Sequence, residues 1–213
     1  MKVFPRWAAA LLLVAALAAC SKVPGVFVYE KDGQAATGEK AADAKSFVDG
    51  NWSQKIVPAV QEKAVDVTTV AAAIEKDPEA AGKQYGHQAG TGSPFAYMVK
   101  GSGTITKVDK SVPTGPVTVE VPRAGAKPLT VTIATGPVIA GTAIRDAVGF
   151  ISFGDFTNQI EYANVANQIN DRVKTDVTAK ADLAEGKKVT FHGAFSALPG
   201  AGVFLVPTEL QVG

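Results

Sequence analysis

The hydrophobic period of the chain changes near residue 95, and the order of the segments beyond that point limits the folds available to it. Apolar and polar residues alternate there, which is typical of half-buried β-strands. Strands are predicted at 95–108, 117–121, 129–135, 188–195 and 203–206, with a last short one at 210–212. Gly101 and Gly103 lie inside the first strand and predict a bulge or a sharp coil. A helical period, over 156–177, separates the third strand from the fourth.

This order of segments is that of the OB barrel, in which a helix lies between the third and fourth of five strands. We therefore predict the α+β class: an OB-like β-barrel with an inserted amphipathic helix, preceded by a small helical segment. Another small α+β barrel fits the same spacing, and residues 147–153 are a candidate for an additional strand. Residues 39–213 are assigned to a single domain, in which 95–213 form the barrel.

Residues 39–86 form the predicted helical part, because they are rich in Ala, Lys, Glu and Gln. Gly50 and Pro58 are the expected breaks in this part. Asp66 is placed to cap one helix, and Asp77, followed by a proline, is placed to cap the next. Trp52 is read as a core residue, with a sugar-stacking platform as the alternative.

The first nineteen residues have the features of an export signal. Lys2 and Arg6 form a short basic region, and an apolar run over 7–19 follows, which is shorter than the roughly 20 residues of a spanning helix. The sequence Leu-Ala-Ala-Cys ends this run and resembles the lipobox of bacterial lipoproteins, in which the cysteine is lipidated after cleavage. We predict that Cys20 carries the lipid and attaches the protein to a membrane.

Lipidation of Cys20 sets several expectations for the mature chain. Residues 20–38 are read as a tether, and Ser21 after the cysteine favours the outer membrane over the inner one by the sorting rule of Gram-negative lipoproteins. Cys20 is the only cysteine in the chain, so acylation leaves no thiol for a disulfide, a nucleophile or a metal site. The expected location is the periplasmic face of the cell envelope.

The charge balance argues against nucleic acid as a partner. The full chain has 21 Lys and Arg against 20 Asp and Glu, and loss of Lys2 and Arg6 leaves 19 against 20, or a net charge of −1. Binding to nucleic acid depends on clustered basic residues, which this balance does not provide.

The predicted helix over 156–177 is unusual because some of its amides fall on its apolar side. Asp155 is placed to cap its start, with Asn158 at the third helical position. Gln159 and Asn170 lie inside the apolar arc. A buried amide without a partner costs about 1 to 3 kcal/mol, so we expect each of the two to bind a backbone edge, a side chain or a ligand.

Six polar residues around the start of this helix are the candidate ligand-binding residues. They are Arg145, Asp146, Asp155, Asn158, Gln159 and Glu161. Two interpretations stay open: the amides tie the helix to neighbouring strands and loops, or they line a polar pocket for a hydroxylated ligand. Because neighbours in sequence point apart on a strand and do not face each other on a helix, we predict that Arg145 pairs with Asp155 or Glu161 and not with Asp146.

Motifs for catalysis and for metal binding are absent from the sequence. His87 and His192 are separated in the chain and show no metal-ligand spacing. Ser196 does not lie in the G-x-S-x-G pattern of hydrolases. We predict neither an enzyme nor a metal site, and no cofactor.

Four stretches together resemble a family of predicted periplasmic lipoproteins of unknown function: the lipobox, GPVIAGTAIRDA, FGDFTNQIEYANVANQIN and GAFSALPGAGVFLVPTEL. The resemblance covers nearly all of the mature chain. It implies an OB-type barrel with N-terminal helices and a location beside sugar importers of the ABC class, and it supplies no catalytic residue.

The leading functional hypothesis is a lipid-anchored, non-enzymatic periplasmic module. It would bind a small polar ligand or an ABC transporter component in sugar uptake. The alternative is an envelope lipoprotein that makes protein–protein contacts and has no small-molecule site.

Overall fold

Five of the strands within residues 43–213, the part of the chain that the computed structural model describes, close into a barrel. In chain order the strands are β1 (Val65–Asp66), β2 (Gly86–His87), β3 (Ala96–Val108), β4 (Pro116–Val121), β5 (Leu129–Ala134), β6 (Lys188–Ser196) and β7 (Val203–Val212). The predicted signal peptide, Cys20 and the predicted tether lie outside the described residues.

The pairing of the strands defines the topology. The hydrogen-bonded order β3–β4–β5–β7–β6 is closed by pairing of β3 with β6. These pairs are antiparallel except for β5 and β7, which run parallel with Val131 opposite Val203. The helical connection lies between the third and fourth barrel strands, as the sequence predicts. The predicted α+β class with an OB-like barrel is confirmed.

Side-chain alternation explains why these segments form strands around one core. In β4, Val117, Val119 and Val121 are buried inside the barrel, and the intervening Thr118 and Glu120 face outward. Successive side chains of a strand point to opposite faces, so every second side chain lies on the same face. The barrel interior is therefore filled mainly by branched aliphatic side chains, together with rings such as those of Tyr97 and Phe195, which stack at 5.2 Å between centroids.

The long strand β3 pairs with two strands, β4 and β6, and so closes the barrel. Its first part pairs with β6 and its last part with β4, and Thr104 pairs with both. Gly103 lies where the strand passes between them, and a Cβ there would be 2.4 Å from the carbonyl oxygen of Glu120. The close approach of β4 explains why a glycine stands at this position. The register shift of β3 falls between Ile105 and Lys107, after the glycines.

Within residues 43–213, six α-helices accompany the barrel. They are α1 (Ala44–Asn51), α2 (Val57–Lys63), α3 (Val67–Lys76), α4 (Pro78–Tyr85), α5 (Ala143–Ala147) and α6 (Gln159–Arg172). The carboxylates of Asp66 and Asp77 accept hydrogen bonds from backbone N–H groups at the starts of α3 and α4. Both predicted caps are confirmed.

The predicted breaks at Gly50 and Pro58 are wrong, because the chain stays helical from α1 through α2. A π-helical turn, Trp52–Ile56, joins the two helices. Pro58 follows directly in the first turn of α2, where its missing N–H is tolerated. Trp52 is 4% exposed and packs in the core, which confirms the prediction that it is a core residue.

A second core lies between the helices and the outer side of the barrel. Outward-facing residues of the strands, among them Ala96, Ala194 and Val206, pack with residues of α1, α2, α5 and α6. One side of the barrel is thereby covered, and this layer positions the start of α6. The additional strand considered at 147–153 is not formed, since α5 and a loop occupy that stretch. The two final strands predicted at 203–206 and 210–212 are one continuous strand, β7.

Candidate functional site

Arg145 and Asp146, neighbours on the short helix α5, form a buried ion pair. Arg145 is 8% exposed, and its Nε and Nη2 lie 2.8 and 2.7 Å from Oδ1 of Asp146. The prediction that Arg145 pairs with Asp155 or Glu161 is wrong. The long arginine side chain reaches the carboxylate of the next residue, a partner that the sequence spacing excluded.

Tyr162 completes the surroundings of the Arg145 guanidinium. Nη1 of Arg145 donates to the backbone oxygen of Tyr162 at 3.2 Å, and the guanidinium carbon lies 3.9 Å from the centre of the tyrosine ring. This is the geometry of a cation–π contact. Burial raises the pKa of the Tyr162 phenol, and the nearby carboxylates of Asp146 and Asp155 add to the rise, whereas Arg145 opposes it. The phenol stays neutral at physiological pH.

His87 supports the same cluster from strand β2. Its Nδ1 lies 2.6 Å from the backbone oxygen of Asp146. A carbonyl oxygen can only accept, so Nδ1 carries the proton of this hydrogen bond. The ring packs against Gly149, whose φ of +76° belongs to the left-handed region and where a Cβ would be 3.2 Å from Cδ2 of His87. The contact gives His87 a structural role in holding the end of α5.

The start of α6 is capped by a different residue from the one predicted. Oδ1 of Asn158 accepts hydrogen bonds from the N–H groups of Ile160 and Glu161 at 2.9 and 3.0 Å. Asp155 instead belongs to a preceding 3₁₀ turn, Phe153–Asp155, where its carboxylate accepts from the N–H and hydroxyl of Ser152. The prediction that Asp155 caps this helix is wrong, because a separate local capping box holds its carboxylate.

Two more predicted residues lie in the first turn of α6. Glu161 accepts a hydrogen bond from the N–H of Ala44 at 3.3 Å and so links α6 to the start of α1. Gln159 is exposed, and its side chain forms no hydrogen bond to residues within 43–213. The expectation that Gln159 lies buried on the apolar side of the helix is therefore wrong.

Asn170 is the buried amide of α6, as predicted. It is 5% exposed, and its Nδ2 donates to the backbone oxygens of Ile139 and Gly141 at 3.2 and 3.0 Å. These carbonyls belong to the connection that leads from β5 into α5. Asn170 therefore ties α6 to the segment that positions the Arg145 ion pair, which supports the structural interpretation for this amide.

A row of aromatic rings leads from the helix core to the surface beside this cluster. Ring centroids are 5.2 Å apart for Phe47 and Phe156, 6.0 Å for Phe156 and Tyr162, and 5.9 Å for Tyr162 and Phe153. Phe156 is buried, but Phe153 is 54% exposed. Phe153 has no predicted role from the sequence, although it lies in the stretch FGDFTNQIEY that resembles the lipoprotein family. We call Phe153, Tyr162 and Asp155 the Phe153 surface.

Another polar cluster lies on the outer side of β6 and β7. Glu209 accepts hydrogen bonds from Gln61 at 2.8 Å and from Gln211 at 2.6 Å. The bond from Gln61, followed by that from Gln211, lowers the pKa of the Glu209 carboxyl. Nδ1 of His192 lies 3.3 Å from Oε2 of Glu209, close enough for an ion pair when the imidazole is protonated but without hydrogen-bond geometry.

An apolar groove of about 380 Å³ lies between α3 and the β6–β7 connection. Its lining includes Ile74, Leu129, Phe195, Leu198 and Val203.

Within residues 43–213, no group of three or more His, Cys, Asp and Glu side chains is arranged to hold a metal ion. Over the same residues, each helix is too short or too polar to cross a membrane.

Comparison with known proteins identifies the family. A family model described as predicted periplasmic lipoprotein (DUF2291) matches residues 10–211. The chain belongs to this family. Membership in DUF2291 confirms the resemblance noted from the sequence and establishes the coarse description of a predicted periplasmic lipoprotein of unknown function. No curated protein matches the sequence.

A solved structure supports the fold assignment of this DUF2291 protein. The chain is similar to an OB-fold protein from Thermotoga maritima, with a TM-score of 0.66 and 21% sequence identity. The match covers 82% of this chain and all of the other one. At this level of identity the similarity establishes the fold and carries no statement about function.

Proposed function

We propose that this lipoprotein is a membrane-attached, non-enzymatic docking module of the periplasm. The observation that carries the proposal is the Phe153 surface, an exposed ring held on a firmly bonded support. Phe153 is 54% exposed, and its ring meets Tyr162 edge to face at 90°. Exposed aromatic residues on rigid supports are frequent anchors of protein–protein contacts.

The support below the ring is what distinguishes this surface from an isolated exposed side chain. The 3₁₀ turn that carries Phe153 is closed by the capping box of Ser152 and Asp155. Tyr162 in turn is held by Arg145, whose charge is balanced by Asp146. An anchor that is already ordered before binding loses little conformational entropy when a partner arrives.

The family and the sequence supply the remaining parts of the proposal. We propose that Cys20 is the lipidated residue, that Ser21 directs the protein to the outer membrane, and that its partner belongs to a sugar importer of the ABC class. The lipobox supports the first part, the residue after the cysteine supports the second, and the resemblance to the family supports the third.

Recovery of the native lipidated protein from membranes tests this function. The protein is extracted in mild detergent with a C-terminal affinity tag, and the co-purified proteins are identified by mass spectrometry. We expect an envelope protein in near-stoichiometric amount. Recovery of the lipoprotein alone, after crosslinking in intact cells as well as without it, would contradict the proposal.

Binding of a small polar ligand is the second candidate function. It is favoured by the exposure of Asp155, Asn158 and Gln159 around one helix start, where the Gln159 amide forms no hydrogen bond to residues 43–213. Thermal unfolding in the presence of a panel of sugars tests it. A rise in Tm for one sugar that disappears in Gln159→Ala supports ligand binding, and no shift with any sugar argues against it.

A further inference from the structure

We infer that the Phe153 surface binds a protein segment in which an apolar side chain is flanked by lysine or arginine. This inference rests on the proposed function and adds the chemistry of the partner. It depends on two properties of the surface: a half-exposed ring at its centre, and carboxylates near the start of α6 that form no ion pair with a lysine or arginine of residues 43–213.

The negative charge comes from three carboxylates near the start of α6. Asp155 lies in the same 3₁₀ turn as Phe153, two residues further along the chain. Glu161 follows within the first turn of the helix and bonds the N–H of Ala44, whose neighbour Asp43 caps α1. None of the three carboxylates forms an ion pair with a lysine or arginine within residues 43–213.

In the described part of the chain, the positive charge of Arg145 at this site is already balanced. Arg145 is bonded to Asp146 and covered by the Tyr162 ring, so it adds no net charge to the surface. His87 donates to a backbone oxygen and does not approach the three carboxylates through any hydrogen bond in the described residues. A partner thus meets an apolar centre with an acidic rim.

Charge complementarity then selects the class of partner. Basic side chains around an apolar residue match such a rim, and rim charges of this kind act mainly on association rate and salt dependence. An anionic bilayer surface is repelled by the same carboxylates. The acidic rim therefore favours a protein segment over a lipid surface as the occupant.

The test places a photo-crosslinking analogue of phenylalanine at residue 153 of the full lipidated chain. The matched control carries the same analogue at residue 198, because Phe153 and Leu198 are both 54% exposed but lie in different parts of the fold. After irradiation of intact envelopes, the crosslinked peptides are sequenced. We expect adducts from position 153, several-fold above position 198, to a segment that contains an apolar residue next to lysine or arginine.

Charge is tested by Glu161→Gln, which retains an acceptor oxygen for the N–H of Ala44. Crosslinking from position 153 should fall at least about threefold between low and moderate salt in the native background, and it should depend less on salt in Glu161→Gln. A second variant, Phe153→Ser, should reduce co-purification of the partner while Leu198→Ser does not, and the Tm of both variants checks that they fold.

The outcomes separate this inference from the proposed function. Adducts to lipid, adducts to a segment without basic residues, or no excess over position 198 overturn the inference. A partner that co-purifies equally well with Phe153→Ser leaves the docking function standing and refutes this surface as its site. If no partner is recovered by any route, both proposals fail.

Discussion

Asn170 provides the sharpest test of why α6 carries an amide on its apolar side. In Asn170→Leu, the two hydrogen bonds to Ile139 and Gly141 are lost. Each contributes about 0.5 to 1.5 kcal/mol, and the buried carbonyl left without a donor at Ile139 costs about 1 to 3 kcal/mol more. Burial of the larger apolar side chain returns about 1 kcal/mol. We expect a net loss of about 1 to 5 kcal/mol in the free energy of unfolding, with a midpoint of about 3 kcal/mol.

Urea unfolding followed by circular dichroism measures this loss. The matched control is Asn167→Leu, because Asn167 lies on the same helix but is exposed. A surface substitution of that kind changes stability by no more than about 0.5 kcal/mol. Surface substitutions differ from one another by about 0.5 kcal/mol. If the free energies of unfolding of Asn170→Leu and Asn167→Leu differ by less than about this amount, the Asn170 amide does not stabilise the fold through its hydrogen bonds.

The variant Asn170→Asp separates the hydrogen bonds from the packing. It keeps the shape of the side chain but directs a second acceptor at two carbonyl oxygens. Burial and these oxygens raise the pKa of the new carboxyl in the folded state above its ordinary value. The variant is therefore least stable above that raised pKa and regains stability as the pH falls through it, since the protonated form can donate. A stability difference from the wild type that does not change between neutral and acidic pH would contradict this reasoning.

Three further predictions concern other parts of the chain. Gly103→Ala should destabilise the barrel by at least about 2 kcal/mol, because the new Cβ meets the backbone of β4; Gly50→Ala, with open space at the Cβ position in α1, should gain up to about 1 kcal/mol in the same urea assay. The carboxyl of Asp109 has its pKa lowered from 3.8 to about 2, first by the hydroxyl of Ser111. The stability that the ionised Asp109 contributes is thus present above pH 3.8 and lost as the pH falls toward 2. An NMR titration should find this low pKa, and Ser111→Ala should raise it toward the ordinary value. Finally, Cys20→Ser should abolish incorporation of labelled palmitate and move the protein from the membrane fraction to the soluble fraction; a variant that still sediments with membranes would refute anchoring through Cys20.

The sequence was informative wherever structure depends on near neighbours. The alternation in β4 and β5 predicts both strands to within one residue, because a pleated strand with one buried face requires that pattern. Asp66 and Asp77 were predicted as caps for a similar reason, since a cap bonds N–H groups only two or three residues away.

Near neighbours in the sequence do not decide the structure where two valid local solutions compete. Asp155 and Asn158 both have the chemistry of a helix cap, and either start suits the period of α6. The structure uses Asn158 for the helix and Asp155 for a separate 3₁₀ turn. The burial of Phe156 between Phe47 and Tyr162 favours this division, and it depends on a contact from α1 that the local sequence does not contain.

By itself, the sequence determined the strand pattern, the position of the inserted helix and the OB-like class, because each of these follows from composition or from a short hydrophobic period. Only the tertiary structure decided that Arg145 pairs with Asp146 under Tyr162, and that Phe153 ends an aromatic row at the surface. The physical reason is that the partner of a long side chain and the exposure of a ring depend on which distant segments pack together. Here that packing is set by the helical layer on the outer side of the barrel.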